Sequence, residues 1–242
     1  MIESAANPRF KLWRSLLDSR GLRKHGKFII SGRKIVPEMT EIPSLSGAEL
    51  LYVEGQPFVE QCSLPKVELK SSLFQQLDIF GTHFPLLVAD TPAIDACKLS
   101  DAPMGLEILC GLSDPSNLGA LLRSAEAFGA SQVILLKEAA HPFHPKAVRA
   151  SSGSCLRVPL TAGPSIKEIH GAGPILALDK TGESIAEFNW PKDCRLLIGE
   201  EGLGIPDDLI SVQRISIPMQ GQVESLNAVA ATSVALAMAR WR

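Results

Sequence analysis

The chain has 242 residues, 45% hydrophobic and 21% charged, with a net charge of −2. That length holds one large or two ordinary domains, and the balance excludes a disordered or fibrous chain. No apolar run reaches the roughly 18 residues of a membrane span.

The opening MIESAANPRFKLWRSLL carries no apolar stretch of a secretion signal. Cations dominate residues 1–36: Arg9, Lys11, Arg14, Arg20, Arg23, Lys24, Lys27, Arg33 and Lys34 stand against Glu3 and Asp18. The segment is therefore +7 and the remainder −9. A basic segment on an acidic body points to an anionic polymer, with a solvated helix face as the alternative. Residues 8–20 place Phe10, Leu12, Trp13, Leu16 and Leu17 on one side of an amphipathic helix. A short strand at 27–31 and a helix over 33–40, interrupted by Pro37, follow. Strand patterns at 50–55 and 84–90 flank a strand-to-helix segment at 67–77. This alternation predicts a small α/β domain over residues 1–100, with 91–103 as linker or edge.

From 104 to 242 the pattern becomes a regular α/β series. Strands are predicted at 105–112, 132–137, 156–160, 174–179, 195–199 and 214–218, and helices at 117–128, 146–152, 165–170, 206–211 and 225–240. Near-continuous apolar strands between helices indicate a parallel sheet covered on both faces. The last helix is rich in Ala, Ser and Val all round, so it is predicted to be buried or to pack in a subunit interface.

Three stretches carry the chemistry: 114–130, 196–206 and 215–237. Each reads as a strand end, a Gly-rich or polar turn and a helix start, which brings backbone groups to a ligand at the carboxyl edge of a sheet. In the first, Asn117 suits a helix cap and Arg123 lies nearly two turns further on. In the second, Gly199, Gly202 and Gly204 allow a tight loop. The spacing is neither the dinucleotide fingerprint nor a phosphate loop, and Glu200 and Glu201 favour a cationic ligand or a role in orienting Arg123. In the third, Pro218 stops the strand and Gly221 permits an irregular loop, while Glu224, Ser225 and Asn227 sit at a helix start. HPFHP (141–145) has a metal-like His spacing but no further ligands, and reads as a rigid loop shaping an entrance; no metal is expected. Five scattered cysteines, Cys62, Cys97, Cys110, Cys155 and Cys194, read as free thiols of a cytoplasmic protein.

In order, N-x-G-x-x-x-R, G-x-E-G-x-G and I-P-M-x-G-x-x-E-S-L-N resemble the SpoU (TrmH-type) RNA 2′-O-methyltransferases of the SPOUT superfamily. KAVRASSGSCLRVPL (146–160) is similar to that family's segment between its first two motifs, and the N-terminal segment resembles a ribosomal-protein-like RNA-binding domain. The domain's usual Glu-Gly is Ser31-Gly32 in this chain. The resemblance implies a SPOUT domain with a deep trefoil knot over 104–242, an RNA-binding domain before it, and an obligate homodimer. It implies S-adenosylmethionine held by Gly199, Ile217 and Leu226, with Met219 and Ser225 nearby. Its catalytic set falls on Asn117, Arg123, Glu201, Ser225 and Asn227. RNA would meet Arg20, Arg23, Lys24, Lys27 and Arg33. The implied activity is methylation of a ribose 2′-hydroxyl, with rRNA ahead of tRNA. An accessory RNA-binding protein without catalysis is the other reading.

Overall fold

The computed structural model describes residues 1–42, 45–209, 211–220 and 222–241; Gly221 lies outside the described residues. In chain order the elements are α1 (Pro8–Ser15), α2 (Ser19–His25), β1 (Lys27–Ile30), α3 (Ile35–Thr40), β2 (Glu49–Tyr52), β3 (Lys66–Glu68), α4 (Ser71–Leu77) and β4 (Leu86–Asp90). There follow β5 (Leu106–Cys110), α5 (Pro115–Phe128), β6 (Gln132–Leu135), α6 (Pro145–Ser151), α7 (Ser154–Arg157) and β7 (Leu160–Ala162). The last are β8 (Ile175–Asp179), β9 (Glu183–Ser184), β10 (Cys194–Ile198), β11 (Gln213–Ser216) and α8 (Ala228–Arg240).

The chain divides into two compact units, 1–92 with 141–153, and 93–140 with 154–242. The expected boundary near 100 is therefore corrected twice. Residues 93–100 belong to the second unit, where Ala96 bridges Ala162 and the Cys97 N–H donates to the Ala162 carbonyl at 2.7 Å. Residues 141–153 return to the first unit, where Phe143 packs on Phe28 with ring centroids 5.0 Å apart.

The first unit carries a four-stranded sheet, β1-β4-β2-β3, antiparallel except for the β2–β3 pair. The single helix expected over 8–20 is two helices, because the Asp18 carboxylate accepts from the Arg20 and Gly21 N–H groups at 2.9 Å and starts α2 afresh. Pro37 does not interrupt α3: it lies in the first turn, where no intrahelical N–H bond is lost.

The second unit is a seven-stranded, all-parallel sheet in the order β7-β6-β5-β10-β8-β11-β9. β10 is buried along its whole length, as expected of a strand covered on both faces. The chain steps outward from β5 to β7, crosses to β8, and only then fills the slot between β5 and β8 with β10. Local helix turns displace several predicted boundaries. α7 occupies 154–157 and delays the strand expected at 156–160 to β7, and the helix expected at 165–170 shrinks to a 3₁₀ turn at Ile166–Glu168. Pro206 to Leu209 form turns instead of the helix expected at 206–211, with Ile210 outside the described residues.

Away from the carboxyl edge, Arg195 and Glu107 are register partners on β10 and β5, their side chains 2% and 5% exposed and 2.8 Å apart. Arg195 also donates to the carbonyls of Leu99, Ala172 and Asp101, tying two loops, the one before β5 and the one before β8, to the strand starts. α8 packs on α5 and buries Thr232, Ala235 and Leu236, with the Ser124 and Ser233 hydroxyls 2.8 Å apart. Ala235 is thus intramolecular core in one chain, whereas Val234 is 41% exposed. Among the described residues no helix is long and apolar enough to cross a membrane, and no group of His, Cys, Asp and Glu could hold a metal.

Candidate active site

A cleft of about 820 Å³ opens at the carboxyl edge of the parallel sheet. It lies just beyond the ends of β8, β10 and β11, beside the position where the strand order reverses, where open α/β sheets bind ligands. Its walls are residues 178–180, 198–207 and 224–228 with Ile217, Met219 and Ala231. The second and third sequence motifs therefore converge on one cavity.

The glycines of 196–206 have separate physical roles. A Cβ on Gly199 would stand 2.4 Å from the carbonyl atoms of Gly204, so only hydrogen fits there. Gly202 and Gly204 have φ of +90° and +69°, in the region that L side chains rarely adopt. The loop folds back on itself through the Gly204 N–H, which donates to the Glu200 carbonyl at 2.9 Å.

Glu201 ties this loop to the first motif. Its carboxylate accepts from the Ser113 N–H and hydroxyl at 2.9 and 3.0 Å, from the Asp114 N–H at 3.3 Å and from the Asn117 side-chain amide at 2.9 Å. Burial opposes its ionisation, but the bonds from Asn117 and Ser113 outweigh that and hold the carboxyl below its ordinary value. Asn117 does not cap its helix. Asp114 does so, accepting from the Ser116 and Asn117 N–H groups, because Pro115 begins the helix and leaves Asp114 as the preceding residue. The Asn117 amide is thereby left to Glu201.

Arg123 is placed differently from expectation. α5 buries Leu118, Leu121, Leu122 and Ala125, which turns Arg123 to solvent, and it does not line the cleft. Glu201 orients Asn117 and Ser113, not Arg123. Ser225, Leu226 and Met219 line the cleft with exposed side chains, and Ile217 with a half-buried one. Asn227 caps α8 by accepting from the Val229 and Ala230 N–H groups. The helix predicted from 225 starts three residues later, so Ser225 and Leu226 lie in the extended approach to it. Sequence reasoning missed Ser113 and the Arg214 brace. Arg214 pairs with Asp179 on one cleft wall and donates to the Pro206 carbonyl of another at 2.7 Å.

Residues 107–237 match the SpoU rRNA methylase family. The chain belongs to that family. A Syntrophobacter fumaroxidans protein named ribosomal RNA small subunit methyltransferase G 2 is 40% identical over 97% of this chain, and the chain spans about half, 48%, of that protein's length. A 23S rRNA (uridine(2479)-2′-O)-methyltransferase of Streptomyces viridochromogenes is 29% identical over 99% of this chain and 92% of its own. The crystal structure of an AdoMet-bound rRNA methyltransferase from Sinorhizobium meliloti matches with a TM-score of 0.81 at 25% identity, covering 99% of this chain and 96% of that one.

Outside the part that the SpoU match covers, the basic segment does not act as one surface. Arg20, Arg23 and Lys24 are exposed on α2. Arg33 is exposed and donates to the Thr82 carbonyl at 3.4 Å. Lys27 is half-buried and paired with Asp90, its register partner across β1 and β4, and its hydrogen bond holds the Asp90 carboxyl below the ordinary value. Lys27 is thus already engaged, unlike the α2 cations.

Proposed function

We propose that this SpoU chain is an S-adenosylmethionine-dependent enzyme that methylates a ribose 2′-hydroxyl in ribosomal RNA. The observation that carries the reading is the cleft in which the 196–206 loop, tied by Glu201 to Asn117, meets Met219 and the Glu224–Ala228 approach to α8. The 2′-O activity named for the Streptomyces relative and the AdoMet bound in the Sinorhizobium structure support it.

The residues present fit that cofactor. The cavity has the size of a small-molecule site. Gly199 and Gly204 let the loop backbone come close, Ile217, Met219 and Leu226 offer apolar surface, and Asp179, Glu200 and Glu224 give the walls the sign that suits a sulfonium. Bound there, S-adenosylmethionine supplies an activated methyl group. The chain's own work is to place the ribose oxygen in line and to accommodate charge as its proton leaves. Glu201 is a positioning residue: its oxygens already accept four hydrogen bonds, and its acidity is strengthened, which makes it a poor base. Ser225 lies on the cleft wall with an exposed side chain, and we assign its hydroxyl to the ribose. Arg123 holds a phosphate or stabilises the developing alkoxide. Because it lies outside the cleft of its own chain, RNA or a second copy must bring it to the reacting oxygen. We therefore read the protein as a homodimer, and the late entry of β10 between β5 and β8 as part of a deep trefoil knot.

The test is calorimetric titration with S-adenosylmethionine together with mapping of 2′-O-methylation in total RNA with and without the gene. Cofactor binding and the loss of a methylated ribose from rRNA are expected. An unchanged methylation map, or no binding, would overturn the proposal.

A further inference from the structure

Segment 141–153 joins the first unit from far along the chain. Phe143 is 1% exposed against Phe28, and α6 packs on β1 through the buried Ala147 and Val148. His144 caps α6 by accepting from the Lys146 N–H at 3.3 Å. That burial leaves Lys146 and Arg149 exposed on the outer side of α6. The Arg149 guanidinium lies 4.6 Å from the ring centroid of Phe80, which is half-buried beside Ile79, itself 45% exposed. α2, whose last turn carries Arg23 and Lys24, packs on the same strand, β1. His141 adds no charge here: burial first, then Arg23 and His144, push its pKa down to about 4, so it stays neutral. Among the described residues, none of the ion pairs involves Arg23, Lys24, Lys146 or Arg149.

We propose that Lys146 and Arg149 are RNA-binding residues, which with Arg23 and Lys24 make a composite cationic surface on the first unit, the Arg149–Phe80 stack serving as a platform for an unpaired base. This rests on the RNA-methyltransferase reading above. Unpaired, exposed cations gain most from phosphate through counterion release, and a guanidinium seated over an aromatic ring offers a stacking surface for a base. The RNA-binding unit is then discontinuous, and a segment embedded in the methyltransferase sequence completes it.

Filter binding of the full chain to purified bacterial 23S ribosomal RNA across a salt series tests this. Lys146→Gln with Arg149→Gln should make the plot of log affinity against log salt shallower by about 1.5–2 and weaken binding at 0.1 M salt by roughly tenfold or more. Lys146→Gln alone, at an exposed position, should take away about half of the slope change. Arg149→Lys should keep the slope yet lose part of the affinity, since Lys cannot reproduce the planar stack. Affinity for S-adenosylmethionine should be unchanged in all three. A wild-type slope and affinity in the folded double variant would overturn this inference alone. A wild-type chain that binds no ribosomal RNA would overturn both it and the reading on which it rests.

Discussion

Glu201→Gln keeps the size of the side chain and removes its charge. The carboxylate now accepts from four donors on residues 113, 114 and 117. A Gln offers one oxygen, and its own NH₂ then faces one of those donors. Hydrogen bonds to a charged acceptor are worth about 1.5–3 kcal/mol when buried, and solvent screening at this half-buried site lowers the total loss to about 1–2 kcal/mol. For a chain of this size that is a fall in Tm of roughly 2–8 °C. The same loss of order in the 199–204 loop should weaken S-adenosylmethionine binding by about 5- to 30-fold. The pH dependence has a definite sign. The folded pKa of Glu201 is depressed, so its contribution is full above the ordinary value of 4.5 and is lost as pH falls through the lower folded value. Thermal melts of both proteins between pH 3.5 and 7, with calorimetry at pH 7, measure this. A variant with wild-type Tm and Kd at pH 7, or a stability difference that does not shrink in acid, would refute the linking role.

Gly199→Ala should abolish cofactor binding before it unfolds the chain. The new methyl meets backbone atoms of Gly204 at 2.4 Å and forces the loop apart at a cost of about 1–3 kcal/mol, a combination that calorimetry and circular dichroism separate. Glu107→Ala leaves Arg195 buried without its counter-charge and should cost about 3–5 kcal/mol in a denaturant melt, whereas replacing both by apolar residues of similar volume should be far milder. Ala235→Glu places a charge in the α8 core and should unfold the second unit. Val234→Glu, at an exposed position on the same helix, should leave the fold intact and, if α8 forms the homodimer contact, convert the protein to monomer in light scattering.

The parts of this fold that were legible in the sequence are those whose cause is local. The apolar run at 195–199 reads as a strand covered on both faces, which β10 is, and the G-x-x-G-x-G glycines allow the tight loop that forms. The outward turn of Arg123, which the motif reading passed over, has a local cause as well: Leu118, Leu121, Leu122 and Ala125 follow the i, i+3, i+4, i+7 stripe, and Arg123 falls off it. The tie from Glu201 to Asn117 spans 84 residues and depends on β5 and β10 being neighbours, which no local pattern dictates. The same limit governs charge. Counting cations over 1–36 treats them as one surface, yet Arg9 is paired with Glu49 and Lys27 with Asp90, each partner brought in by a distant strand. Conversely, the stripe of α6 reads as an amphipathic helix whichever unit it packs on. Tertiary contacts, Phe143 against Phe28, α6 against β1 and Arg149 against Phe80, assign Lys146 and Arg149 to the first unit. An electrostatic footprint is therefore a property of the folded surface, and part of this one comes from sequence that lies between the first two methyltransferase motifs.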